Sequence, residues 1–76
     1  MKQIINTYQI NKEDTLFNKI NNIVNKHNME LFSILNEVSK KLYNYNQIGL
    51  IVYDDNSYDV LNYDDILFLK KYNLFN

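Results

Sequence analysis

The sequence predicts an α+β fold, a small antiparallel sheet with helices packed on it, and three observations carry that prediction. Apolar residues recur at helical spacing from Leu16 to Tyr45. At Ile48 the period shortens to that of a strand and holds, across a cluster of turn residues, to Leu61. After Asn62 a helical pattern returns. Helical and strand periods that alternate in this way belong to helices covering a sheet.

The elements follow in order. Residues 3–9 hold Ile4, Ile5, Thr7 and Tyr8, a strand with poor alternation. Asn11 and Asp14 stand three apart like a capping box and predict a helix start there, with Glu13 and Asp14 suited to a positive helix end. Leu16, Phe17, Ile20, Ile23, Val24 and His27 then form one helical face. Leu31, Ile34, Leu35, Val38, Leu42 and Tyr45 form a second, with Glu30, Glu37, Lys40 and Lys41 off the stripe. The series Phe17, Ile20, Val24, His27, Leu31, Ile34, Val38, Lys41, Tyr45 also fits one long heptad seam. The polar residues in that seam favour two helices broken near His27 and Asn28, where Asn28 could cap the second.

Ile48, Gly49, Leu50, Ile51, Val52 and Tyr53 are apolar on both faces, as a central strand requires. Asp54, Asp55, Asn56 and Ser57 are turn formers, since Asp and Asn bond their own backbone and tolerate left-handed conformations. Tyr58, Asp59, Val60 and Leu61 return as the second strand of a hairpin. A last helix begins at residues 62–65 and presents Ile66, Leu67, Phe68, Leu69 and Tyr72, with Lys70 and Lys71 near its end. The order is β-α-α-β-β-α. With 76 residues and no Pro/Gly/Ser tract, residues 1–76 make a single domain.

Composition narrows the chemistry. There is no Cys, so neither a disulfide nor a thiolate metal site can form. The start has two adjacent apolar residues, Ile4 and Ile5, far short of a signal peptide. No stretch reaches the ~18 apolar residues of a membrane span. The chain is expected to be soluble and cytoplasmic. It has no Ala, Arg, Pro or Trp, one Gly and 14 Asn, a bias that points to a very AT-rich genome. Net charge is −1, but residues 1–47 set six Lys against Glu13, Asp14, Glu30 and Glu37, while residues 48–76 set five Asp against Lys70 and Lys71.

Catalytic motifs do not appear. His27 is the single histidine and lies on an apolar stripe, which suits a helix-end or core-edge role. Ser33, Ser39 and Ser57 have no nucleophile elbow around them. One glycine cannot build a phosphate-cradling loop. The segment from Asp54 to Asp65 fails as a calcium loop, because Tyr58 and Asp59 occupy positions for an oxygen ligand and a glycine. No enzymatic activity, cofactor or metal site is expected.

One group stands above this background. Asp54, Asp55 and Asp59 flank the hairpin turn, Asp64 and Asp65 open the last helix, and Tyr53, Tyr58 and Tyr63 interleave with them. Carboxylates beside tyrosines predict a protein-binding patch, one that could meet a basic or nucleic-acid-binding surface. The expectation is a small non-enzymatic protein-binding module that occupies a partner's surface. Small size and AT-rich coding suggest a phage or mobile-element inhibitor of a host system, of the anti-CRISPR kind. One alternative is a winged-helix-like transcriptional regulator binding DNA through Lys2, Lys12, Lys19, Lys26, Lys40 and Lys41. Lack of Arg disfavours direct contact with nucleic acid. The other alternative is a homo-oligomeric structural protein, such as a homodimer, joined along the stripe over residues 17–45.

Overall fold

A computed structural model describes residues 2–71 of the chain, with the backbone alone for Tyr63 and Lys70. Tyr72, assigned above to the last apolar face, lies outside the described residues. The elements are β1 (Ile4–Asn11), α1 (Leu16–His27), α2 (Leu31–Asn44), β2 (Gln47–Tyr53), β3 (Tyr58–Asn62) and α3 (Tyr63–Lys71). The α+β class and the β-α-α-β-β-α order are those predicted.

The strands form one antiparallel sheet in the order β1-β2-β3. The doubly apolar run places β2 at the centre, because only a central strand between two covered faces can hide both sets of side chains. Ile48, Leu50 and Val52 face α1 and α2, and join Ile10, Ile20, Ile23, Val24, Ile34, Val38 and Leu42 in the main core. Each fully buried aliphatic side chain there contributes about 1.5–3 kcal/mol. Gly49 and Ile51 face the other way, where Ile66 of α3 is buried. The molecule thus has three layers: two helices, the sheet, and α3.

Gly49 is the hinge of the smaller layer. A Cβ placed on it would overlap Cγ1 and Cδ1 of Ile66. Its φ is not positive, so close approach of α3, rather than turn geometry, is what requires glycine here.

Local chemistry departs from expectation at three places. Asn11 and Asp14 do pair: the Asn11 N–H donates to Asp14 Oδ2 at 2.8 Å, and the Asp14 N–H donates to the Asn11 carbonyl at 3.1 Å. They close the turn after β1 and do not cap a helix. α1 starts later, after Thr15, whose side chain makes no capping bond. Asn28 does not cap α2. It ends α1 in the left-handed region with φ 54°, its N–H donating to the Val24 carbonyl. Glu30 caps α2 instead, accepting from the N–H groups of Phe32 and Ser33 at 3.1 and 2.6 Å. The Ser33 hydroxyl first, and then these N–H bonds, hold the Glu30 carboxyl below the usual range. The first strand runs on past residue 9 to Asn11, and a bulge at Ile5 interrupts its alternation.

Two helices therefore replace the single seam. Ile20, Val24, Ile34 and Val38 of that stripe are buried within the chain's own core, and only its ends, Phe17 and Tyr45, are exposed.

Gly49→Ala is expected to destabilise the domain by about 1–3 kcal/mol, since Ile66 must leave its site. In an Ile66→Ala background the same change should cost much less. Denaturant unfolding of the four proteins measures this, and additive losses would contradict the contact.

Candidate functional site

The hairpin turn is a three-residue loop. The Asn56 N–H donates to the Tyr53 carbonyl at 3.1 Å, and Asn56 takes the left-handed conformation at φ 67°. Its acidic residues are engaged locally. The Gln3 N–H donates to Asp54 Oδ1 at 3.1 Å, and the Asp54 N–H returns a bond to the Gln3 carbonyl at 2.9 Å. This clasp ties the start of β1 to the hairpin. Asp55 accepts from both the N–H and the hydroxyl of Ser57, which holds its carboxyl below the usual range. Asp59 accepts the Tyr53 hydroxyl at 2.5 Å. Lys2 lies 4.3 Å above the Tyr53 ring and donates to Ser57 Oγ at 3.4 Å. The tip is a cross-linked, locally compensated cluster.

The eight residues singled out in the sequence do not share one surface. Tyr53 and Asp59 lie on the α3 side of the sheet. Tyr58, one residue from Asp59, points to the opposite face and donates to Glu37 Oε1 of α2 at 3.0 Å. Asp64 and Asp65 are exposed on α3, at the end of β3 remote from the turn, where Asp64 lines a shallow depression with Tyr45, Gln47 and Asn62. The Tyr63 side chain lies outside the described residues.

His27 sits at the end of α1, half-buried, with Nε2 2.6 Å from the Tyr8 hydroxyl and the two rings edge to face. Burial, then the Lys26 charge, lowers its pKa. This is the core-edge histidine expected. The lysines are dispersed: Lys2 stacks on Tyr53, Lys19 pairs with Asp14 at 3.1 Å, and Lys41 donates to Asn62 Oδ1 at 3.5 Å. Among the described residues no three His, Asp or Glu side chains gather as metal ligands, and no helix is long and apolar enough to cross a membrane.

What sequence reasoning missed lies at the sheet edges. The Tyr53 N–H donates to the Ser57 carbonyl at 2.9 Å, which makes Ile51–Asp59 and Gly49–Leu61 the hydrogen-bonded pairs of β2 and β3. The backbone groups of Tyr58, Val60 and Asn62 therefore point out of the sheet. By the same alternation, the bond of 2.8 Å from the Lys12 N–H to the Asn46 carbonyl turns Thr7, Gln9 and Asn11 of β1 outward.

The two edges differ. On β1 the Thr7 N–H donates to Asn6 Oδ1 at 3.2 Å and the Asn11 N–H to Asp14, so side chains occupy part of the ladder. On β3, no strand or side chain among the described residues takes the outward backbone groups. Beside this edge runs an open groove of about 420 Å³ between α2 and Val60, lined by Glu37, Lys40, Lys41, Asn44 and Tyr45. Glu37 and Lys41 stand one helical turn apart, the first at the Tyr58 end of β3 and the second at the Asn62 end.

Comparison with protein-family models, with curated proteins and with solved structures finds no match.

Two titrations follow from this geometry. The bond to Asp59, then burial, pushes the Tyr53 hydroxyl up to about 12. A raised tyrosine pKa gives stability that is present below pH ~10 and lost as pH rises toward the folded value. In Asp59→Asn, ultraviolet titration should return one tyrosine toward its ordinary range, and an unchanged curve would contradict the bond. His27 is lowered, so its contribution is complete above pH ~6.5 and declines as pH falls below that, where the unfolded chain takes up the proton first. Its NMR midpoint should lie under 6.5. A midpoint above that value would contradict its burial.

Proposed function

We propose that the chain is a non-enzymatic protein-binding module that takes an extended segment of a protein as a further strand along β3. The observation that carries this reading is the open ladder of Tyr58, Val60 and Asn62. Backbone N–H and C=O groups in a row supply affinity for any extended chain, and pockets beside the row supply selectivity. The groove under α2 is such a pocket, with both signs of charge in it. The contrast with β1, where Asn6 and Asp14 occupy outward N–H groups, supports β3 as the docking edge.

The hairpin acids take a different part in this reading. Asp54, Asp55 and Asp59 are spent on Gln3, Ser57 and Tyr53, so they hold the sheet together and leave docking to the edge. The proposal concerns protein docking as a class. No feature of the fold selects a host system of the anti-CRISPR kind as the target.

Val60→Pro separates the edge from the tip. The Val60 N–H points outward, so proline removes no ladder bond within the sheet but blocks a strand arriving from outside. The tagged chain is used to capture partners from the source cell's lysate after nuclease treatment. The wild type should retain a protein that Val60→Pro loses, with far-UV circular dichroism of the variant unchanged. The triple change of Asp54, Asp55 and Asp59 to Asn should keep it. A catch that vanishes with nuclease, or that survives Val60→Pro, contradicts the proposal.

A further inference from the structure

We infer that the strand received by β3 is β3 of a second copy of this chain, so that two domains join across a two-fold axis at Val60 into one continuous sheet. This rests on the reading of β3 as a docking edge and names its occupant.

The first argument is register. Antiparallel pairing needs residues whose backbone groups point at each other. In β3 these are Tyr58, Val60 and Asn62, spaced evenly about Val60. A two-fold axis there sets Val60 against Val60, and Tyr58 against Asn62, in both directions. The outward N–H groups of all three residues and the carbonyls of Tyr58 and Val60 then meet partners across the axis, while the Asn62 carbonyl, next to the first residue of α3, also serves the start of that helix. No slip of register achieves this for all three residues.

The second argument is charge. α2 runs beside β3 in the same direction, with Glu37 bonded to Tyr58 at 3.0 Å and Lys41 bonded to Asn62 at 3.5 Å. The operation that pairs Tyr58 with Asn62 of the other copy also sets Glu37 opposite the other copy's Lys41, twice. A patch with one carboxylate and one ammonium placed symmetrically about the axis is complementary to itself, as an isologous interface demands. Lys40 also lines this groove. A partner strand of uniform charge would satisfy Glu37 or Lys41 and repel the other.

The third argument is stability. A cysteine-free chain of 76 residues has neither disulfide nor thiolate metal to reinforce its core, and association is one of the means by which domains of this size gain stability. Pairing at β3 also covers the edge that no side chain among the described residues guards, and so removes a template for uncontrolled strand addition.

Sedimentation equilibrium over a micromolar to millimolar range, at low salt, tests the inference on the full chain. The wild type should approach twice its mass of 9.2 kDa. Glu37→Lys and Lys41→Glu each place like charges across the seam twice and should weaken association by about tenfold. The double exchange, Glu37→Lys with Lys41→Glu, should restore it, which a general loss of folding would not. Val60→Pro should be monomeric with native circular dichroism. A wild type that stays monomeric throughout, or a dimer indifferent to Val60→Pro and to both charge reversals, overturns the inference. If the wild type is monomeric while Val60→Pro still removes a captured protein, self-pairing fails and docking at β3 stands. If Val60→Pro alters neither mass nor capture, both fail.

Discussion

The two-sided burial of β2 is the constraint from which the remaining architecture follows. A strand with Ile48, Leu50 and Val52 on one face and Gly49 and Ile51 on the other, all buried, cannot lie at an edge or against water. Strands must flank it and helices must cover both faces. The paired amphipathic helices α1 and α2 serve one face with a broad core. The single short helix α3 serves the other, and reaches it because Gly49 leaves room for Ile66. Central placement of β2 makes edges of β1 and β3, and the chemistry of those edges decides what the domain can bind.

Polar side chains are distributed accordingly. Around β1 they are consumed by the backbone: Asn6 on Thr7, Asp14 on Asn11, and Asp54 on Gln3. Around the hairpin they are consumed by one another, with Tyr53 on Asp59 and Ser57 on Asp55. Beside β3, Glu37 and Lys41 reach the strand's side chains, and among the described residues no strand or side chain takes its outward N–H groups. An edge held at one rim by its own helix and open along its ladder is the basis of the strand-docking proposal. The same alternation that fixes the fold thus sorts its carboxylates into those that close the structure and those left beside the β3 edge.

Much of this was legible in the sequence, and what was not has specific causes. The hairpin was plain because a period of two, interrupted by Asp and Asn, has few other readings. The helices were plain in their apolar stripes and uncertain at their ends. There, Asn11 with Asp14 has the chemistry of a cap wherever it occurs, and tertiary placement made it a turn. β1 read poorly because the bulge at Ile5 breaks its alternation and because an edge strand need bury few side chains. Ile10 alone of its residues is fully buried. The grouping of Tyr53, Tyr58, Asp59, Asp64 and Asp65 came from nearness in sequence, whereas strand geometry separates neighbours. Tyr58 and Asp59 must face opposite ways, and the length of β3 lies between the turn and α3. The groove depends on which helix runs beside β3, which periodicity does not encode. Its one trace in the sequence is Glu37 and Lys41, four apart and off the apolar stripe.

The most direct test is amide hydrogen exchange along β3, followed residue by residue by NMR as the protein is concentrated. In dilute solution Asp59 and Leu61, bonded to β2, should exchange slowly, and Tyr58, Val60 and Asn62 quickly. On concentration those three should become protected together, while Thr7 and Gln9 of β1 do not change. Exchange that stays fast at Tyr58, Val60 and Asn62 at every concentration, or protection that appears on β1 instead, would contradict a self-complementary edge at β3.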